Sequence, residues 1–156
     1  MIQELLKITK KIKDENLRSI VEDILKNPEA KALSTKPLVS IEESPAAPRK
    51  HHAYPGGLLQ HTLSVTKIAI TLCDIFEEVY GLRIDKDLVI ATAILHDIYK
   101  FYQYEHDDVY GGFRARTDWY LSHDYAIVAE LVARKAPDKL IRCVSEVHGR
   151  VPITMI

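Results

Sequence analysis

Seven histidines occur in this 156-residue chain, and four of them fall where helices begin or end. His96 is followed directly by Asp97 at the close of DLVIATAILHDIY (87–99), a run that is apolar on every side. A helix of that kind belongs in a core, and a carboxylate carried there is costly unless it is paired or bound to a metal. His61 arrives on the inner side of the preceding helix. His123 opens a helix that continues through Ile127 and Leu131, and His148 extends the stripe of Ile141 and Val144. One such histidine alone reads as a core imidazole bonded to a backbone carbonyl. Several of them with an acid beside one make the nitrogen and oxygen donor set of a divalent ion with positions left for water.

The elements that must position these groups follow from periodicity and breakers. Residues 2–26 read as one amphipathic helix with Ile2, Leu5, Leu6, Ile8, Ile12, Ile20, Ile24 and Leu25 as its stripe. Pro37, Pro45, Pro48 and Pro55 make residues 34–56 a loop. A helix then runs from about Gly57 to Tyr80, where Gly81 ends it. His61, Val65, Ile68, Leu72, Ile75 and Val79 follow the spacing of one helical face, which predicts a buried stripe with His61 at its start. The next helix covers Asp87 to about Tyr99, and Gly111-Gly112 suggests a loop or short hairpin near 109–120. Helices at roughly 122–135 and 138–148 are separated by Pro137. The expectation is an all-α bundle of about five to seven helices.

A net charge of −1 gives no global field for gathering nucleic acid. Cys73 and Cys143 stand apart among apolar residues and read as small core hydrophobes in a reducing compartment. The longest apolar run, LVIATAIL (88–95), falls far short of a membrane span, and the N-terminus lacks a signal-peptide core, so a cytoplasmic protein is expected. In SPAAPRKHHAYPGGLLQHTLSV (44–65), Arg49, Lys50, His51 and His52 precede Gly56-Gly57. The loop reads as the phosphate-facing wall of a pocket, with free N–H groups of the helix N-terminus available to an anion. FRARTDWY (113–120) offers Arg114 and Arg116 beside Trp119 and Tyr120, read as an ordinary surface hairpin rather than a base-stacking platform. Tyr99, Phe101, Tyr102 and Tyr104 read as core or rim packing.

His61, His96-Asp97 and Lys100 in HDIYK resemble the HD superfamily of metal-dependent phosphohydrolases. The PAA…HHA…GGLL.HT string joined to LHDIYK is similar to the HD domain of YhaM-type 3′→5′ exoribonucleases, across about residues 44–149. The resemblance implies one HD domain over residues 1–156, with an N-terminal helix in 1–30 and the HD core in 44–149. It implies that His61, His96 and Asp97 ligate a principal metal, that Asp97 bridges to a second, and that His123 and His148 hold that second ion. Asp97 and Lys100 become the catalytic residues, and Arg49, Lys50, His52 and Lys100 the substrate-binding ones. One or two divalent ions are expected, with Mn, Fe, Ni, Co or Zn favoured over Mg by the imidazoles. The implied activity is cleavage of a phosphoester in a nucleotide or nucleic-acid 3′ end by metal-activated water. A metal- and nucleotide-binding module with little or no hydrolysis is the alternative. The expected partners are a phosphorylated small molecule, a nucleotide or a short oligonucleotide, with no membrane and with the N-terminal helix as a homodimerisation element. Only one helix stands ahead of the HD-like core, which favours small substrates over processive RNA degradation.

The sequence departs from the family pattern in three places. Tyr99 stands where HDxGK has glycine, which is expected to narrow the approach to the site. Val147 replaces the first histidine of the HHG element. The family's closing Asp has no counterpart in GRVPITMI, an ending that reads as an early stop, and Asp118 and Asp124 are the nearest substitutes.

Overall fold

The computed structural model describes residues 1–119 and 121–149. Among the described residues, six α-helices and one small hairpin stand out: α1 (Ile2–Thr9), α2 (Glu15–Lys26), α3 (Gly57–Tyr80), α4 (Lys86–Leu95), α5 (His123–Ala133) and α6 (Asp138–Glu146). A 3-10 helix (Ile98–Gln103) leads into β1 (Tyr104–His106), which pairs antiparallel with β2 (Phe113–Ala115). Among the described residues, no helix is long and apolar enough to cross a membrane. The mostly helical reading therefore holds.

α4 is the axis of the bundle. Leu88, Ile90, Ala91, Ala93, Ile94 and Leu95 are all buried, and α4 packs against α1, α2, α3 and α6. A helix with no polar face has to be surrounded, and this one is. Its C-terminal end, where His96 caps the helix and Asp97 follows, is consequently brought to the middle of the molecule.

Four expectations need correction. The N-terminal segment is two helices rather than one, broken over residues 10–14. Asp14 caps α2 by accepting from the N–H groups of Asn16 and Leu17. The break is held open by Asp87 of α4, whose carboxylate accepts from the Lys13 and Asp14 N–H groups at 3.0 and 2.8 Å. The hairpin spans 104–115 rather than 109–120. Asp107 Oδ1 accepts from the N–H groups of Val109 and Tyr110 to close its turn. The helix expected over 87–99 ends at Leu95, and the chain tightens into the 3-10 turn.

The fourth correction concerns α3. Its buried face is Leu58, Leu59, Thr62, Thr66 and Cys73. His61 does point inward, with its side chain 17% exposed, but Ile68, Leu72, Ile75 and Val79 are 44–63% exposed. α3 is apolar on two sides, and spacing alone does not say which of them meets the core.

Candidate metal centre

Asp97 is the hub. Its side chain is 4% exposed, and each carboxylate oxygen faces its own pair of imidazoles. Oδ2 lies 3.1 Å from His61 Nε2 and 3.4 Å from His96 Nε2. Oδ1 lies 3.1 Å from His123 Nε2 and 3.6 Å from His148 Nε2. Two groups of ligand atoms result, one of His61, His96 and Asp97 and one of Asp97, His123 and His148, each within 4.8 Å of one another.

Four helix ends supply these groups. His61 comes from the first turns of α3, His96 from the end of α4, His123 from the first residue of α5, and His148 from just beyond α6. The 3-10 turn adds Lys100. With three residues per turn, positions i and i+3 eclipse, so Lys100 Nζ reaches Asp97 Oδ2 at 2.6 Å.

Ring orientation is fixed from behind. His96 Nδ1 lies 2.9 Å from the Ala93 carbonyl, and His123 Nδ1 lies 2.7 Å from Gln103 Oε1. Oxygen acceptors there place the proton on Nδ1 and leave the Nε2 lone pair turned toward Asp97. Gln103 Oε1 also accepts from the His123 backbone N–H at 2.6 Å. Gln103 carries no sequence signal of this role. Only its position at the end of the 3-10 turn, opposite the start of α5, gives it this role.

The donor set fits a cation. Asp97 Oδ1 and His123 Nε2 are both buried and make no hydrogen bond, although they stand 3.1 Å apart. Two lone-pair-bearing atoms held together without a shared proton are unfavourable until a positive charge joins them. Burial pushes the Asp97 carboxyl up, while the imidazoles of His123, His61 and His96, whenever they carry a proton toward it, outweigh burial and hold the group far below the ordinary carboxylate range. Burial also lowers the His148 imidazole below its usual value, against a raising contribution from the His96 carbonyl. Both shifts favour the forms that bind metal.

A cavity of about 670 Å³ opens beside the centre, lined by Arg49, Lys50, His51, Lys100, Gln103, Tyr104, Arg114 and His123 among others. Arg49 and Lys50 make no ion pair among the described residues, whereas Arg114 is paired with Glu105 at 2.6 Å. His52 does not line this cavity. It adopts φ 49°, its Nδ1 faces His51 Nδ1 at 3.2 Å, and its ring lies 5.5 Å from that of His61.

The loop before α3 is seated differently from the sequence expectation. The N–H groups of Gly56, Gly57 and Leu58 donate to the carbonyls of Glu43, Tyr54 and Ser44 at 2.9–3.1 Å, so these donors are not free for an anion. Gly57 is required by close packing, since a Cβ there would sit 2.0 Å from the His52 carbonyl oxygen. The loop thus holds its basic residues against the cavity by docking onto the helix start.

The other sequence readings fall into place around this centre. Tyr99 is fully buried in the core and does not narrow the approach. The Tyr102 ring lies 5.2 Å from that of Trp119, tilted by 33°, and Arg116 is buried and bidentate on Asp118 at 2.8 and 2.9 Å. Asp118 is thereby committed to Arg116, and Asp124 is buried in the first turn of α5. Neither belongs to the ligand groups around Asp97. Tyr120 and the terminal residues 150–156 lie outside the described residues. Cys73 and Cys143 are both free thiols.

This helical arrangement around a His/Asp centre defines a class. The chain belongs to the HD-domain family, whose model matches residues 58–155. A helicase family model also matches residues 8–83, under half of the chain. A dihydroneopterin 2′,3′-cyclic phosphate phosphodiesterase of Methanocaldococcus jannaschii is 43% identical over 153 residues, covering 95% of this chain and 59% of that protein. The 3′-5′ exoribonuclease YhaM of Bacillus subtilis is 33% identical over 95 residues, covering 56% of this chain and 28% of that protein. YhaM of Shouchella clausii is 40% identical over 58 residues, covering 37% of this chain and 17% of that protein. The chain therefore spans little more than half the length of the archaeal relative and less than a third of the exoribonucleases. No solved structure matches it.

Proposed function

We propose that this chain is a metal-dependent phosphohydrolase that cleaves a phosphoester in a nucleotide-like molecule or at a nucleic-acid 3′ end. In this reading residues 1–156 act as one HD domain, with 44–149 carrying the chemistry and α1–α2 buttressing α4. His61 and His96 would hold one divalent ion and His123 and His148 a second, with Asp97 shared between the two groups. Imidazole-rich ligation favours Mn, Fe, Ni, Co or Zn over Mg. Bound there, such ions supply Lewis-acid polarisation of the phosphate and an activated water.

The remaining work falls to the chain itself. Lys100 Nζ, held at the mouth of the centre, places positive charge where negative charge develops on phosphorus. Arg49 and Lys50 orient the phosphate from the loop side of the cavity. The cavity is of a size for one nucleotide-like unit, and it is walled by β1 and β2 on one side. Together with the name of the archaeal relative, this favours a small cyclic phosphate diester over a long RNA strand.

The observation that carries the reading is the Asp97 carboxylate, with two imidazoles facing each oxygen. The test is metal analysis of protein purified without chelator, followed by turnover of bis-p-nitrophenyl phosphate and of a nucleoside 2′,3′-cyclic phosphate. Two metals per chain and turnover abolished by Asp97→Asn in a folded variant are expected. Bound metal without turnover on either ester means a binding module instead, and a folded chain that takes up no divalent ion removes the proposal.

A further inference from the structure

A third group of imidazoles stands between the metal centre and the surface. His51 is exposed and His52 half-buried, and with His61 they offer ligand atoms that all lie within 4.8 Å of one another. His61 is the shared member, since it also belongs to the group with His96 and Asp97. The ring centroids of His51, His61, His96, His148 and His123 follow one another at 4.9, 5.8, 5.9 and 4.9 Å. Along the first part of this row, exposure falls from His51 at the surface to 17% at the His61 side chain and 11% at His96.

The backbone is bent to bring the two outer rings together. Successive side chains of an extended chain point apart. His52 instead adopts φ 49°, a left-handed conformation that residues with a side chain rarely take. The Nδ1 atoms of His51 and His52 lie 3.2 Å apart. Two imidazoles on one tetrahedral ion, each at about 2.0–2.1 Å, hold their nitrogens roughly 3.3 Å apart. The His52 carbonyl pins the turn by accepting from the Ala46 N–H at 3.1 Å, and it fits only because Gly57 has no Cβ.

The cavity beside the centre is a poor entrance for a cation. Arg49, Lys50, Lys100 and Arg114 line it, and no carboxylate is among the described residues that do. Like charge in a cleft lowers the local concentration of an incoming ion. His51, at the edge of the same cavity, and His52 beside it give such an ion lone pairs. We propose that His51 and His52 form a loading station, which captures a divalent transition-metal ion at the surface and passes it through His61 to the group of His96 and Asp97. The inference rests on the reading of that group as a metal centre. Because His61 belongs to both groups, the ion changes partners one ligand at a time. Once His61 Nε2 is engaged beside Asp97, His51 and His52 remain as a bare pair, fewer ligands than a retained ion needs, and the station empties.

Rapid mixing of the metal-free chain with limiting Co²⁺, followed by visible absorption, tests this. His52→Asn keeps a residue that tolerates the left-handed turn, and His51→Gln leaves a polar side chain at an exposed position. In the double variant loading is expected to slow about 10-fold, since capture beside His61 no longer raises the local concentration of the ion. Final occupancy and affinity at the centre, read by chelator competition, are expected to stay as in the wild type. Release to excess chelator then slows by the same factor, because the route of entry is also the route of exit. Loading and release at wild-type rates in a folded double variant overturn the proposal. A loss of affinity without slower release overturns it too, since the two histidines are then ordinary ligands. So does a third ion retained by the wild type and lost from the variant, which makes the pair a resident site. A wild type that takes up no ion removes the phosphohydrolase reading, and the station with it. If the double variant does not fold, His51→Gln decides alone by the same rates.

Discussion

Removing the Gln103 amide is expected to weaken one half of the metal centre and spare the other. Its Oε1 accepts from the His123 backbone N–H at 2.6 Å and lies 2.7 Å from His123 Nδ1. Gln103→Leu keeps the bulk and deletes the acceptor. His123 then loses the group that fixes its tautomer, and Nε2 is no longer constrained to face Asp97 Oδ1. Loss of an outer hydrogen bond to a ligating histidine costs about 10–100-fold in metal affinity. That corresponds to roughly 1.4–2.7 kcal/mol, while losing two partly buried hydrogen bonds costs the fold about 1–3 kcal/mol. Gln103→Glu, which retains an acceptor, is expected to keep the affinity. Titrating metal-free protein with Mn²⁺ or Co²⁺ against a competing chelator resolves two binding steps. The step assigned to His123 and His148 is expected to weaken in Gln103→Leu and the one assigned to His61 and His96 to hold. Equal weakening of both steps, or full affinity in a folded Gln103→Leu protein, refutes the reasoning that the Gln103 oxygen orients His123.

Lys100→Met is expected to retain both metals and to lower kcat by about 100- to 1,000-fold, measured by steady-state turnover with metal content determined in parallel. Gly57→Ala drives a Cβ to 2.0 Å from the His52 carbonyl. It is expected to destabilise by about 2–3 kcal/mol in urea unfolding and to raise KM by displacing Arg49 and Lys50. Glu130 is fully buried, accepts from the Ala32 N–H at 2.8 Å and from Arg134 Nε at 2.6 Å, while Arg134 also reaches Asp23. Glu130→Ala is expected to cost about 2–4 kcal/mol by the same unfolding measurement, since it leaves the Ala32 N–H without its acceptor and the buried Arg134 guanidinium with only the partly exposed Asp23. Burial pushes the Glu130 carboxyl up, but the Ala32 and Lys31 N–H groups and Arg134 outweigh it and leave it lowered. Its contribution is therefore complete above the unfolded value of 4.5 and is lost as pH falls through the lower folded value. His148 is likewise lowered, so below 6.5 the unfolded chain takes up that proton before the folded one does. Metal-free protein is expected to lose stability on acidification through both windows, by up to about 1.4 kcal/mol per pH unit for each group, as unfolding against pH will report.

The centre was largely legible because its residues break local rules. A His-Asp pair at the end of an all-apolar helix has no packing rationale, and His61, His123 and His148 each stand where a helix changes its company. What sequence could not give depended on partners distant along the chain. Asp87 holds open the break between α1 and α2 from more than seventy residues away. Gln103 matters only because α5 begins opposite it. The α3 stripe was misassigned because both candidate faces are apolar and periodicity carries no label for inside. The anion site expected at Gly57 failed because carbonyls of the preceding loop reach those N–H groups first.

α4 has no face that tolerates water, and its far end delivers His96 and Asp97. The His/Asp pocket proposed to bind the ions is thus assembled only when the helices around α4 have closed over it. Stoichiometric metal uptake then doubles as an assay of tertiary completeness. Any lesion that loosens this helix, however remote from the histidines, should register as a drop in metal content before a change in helicity.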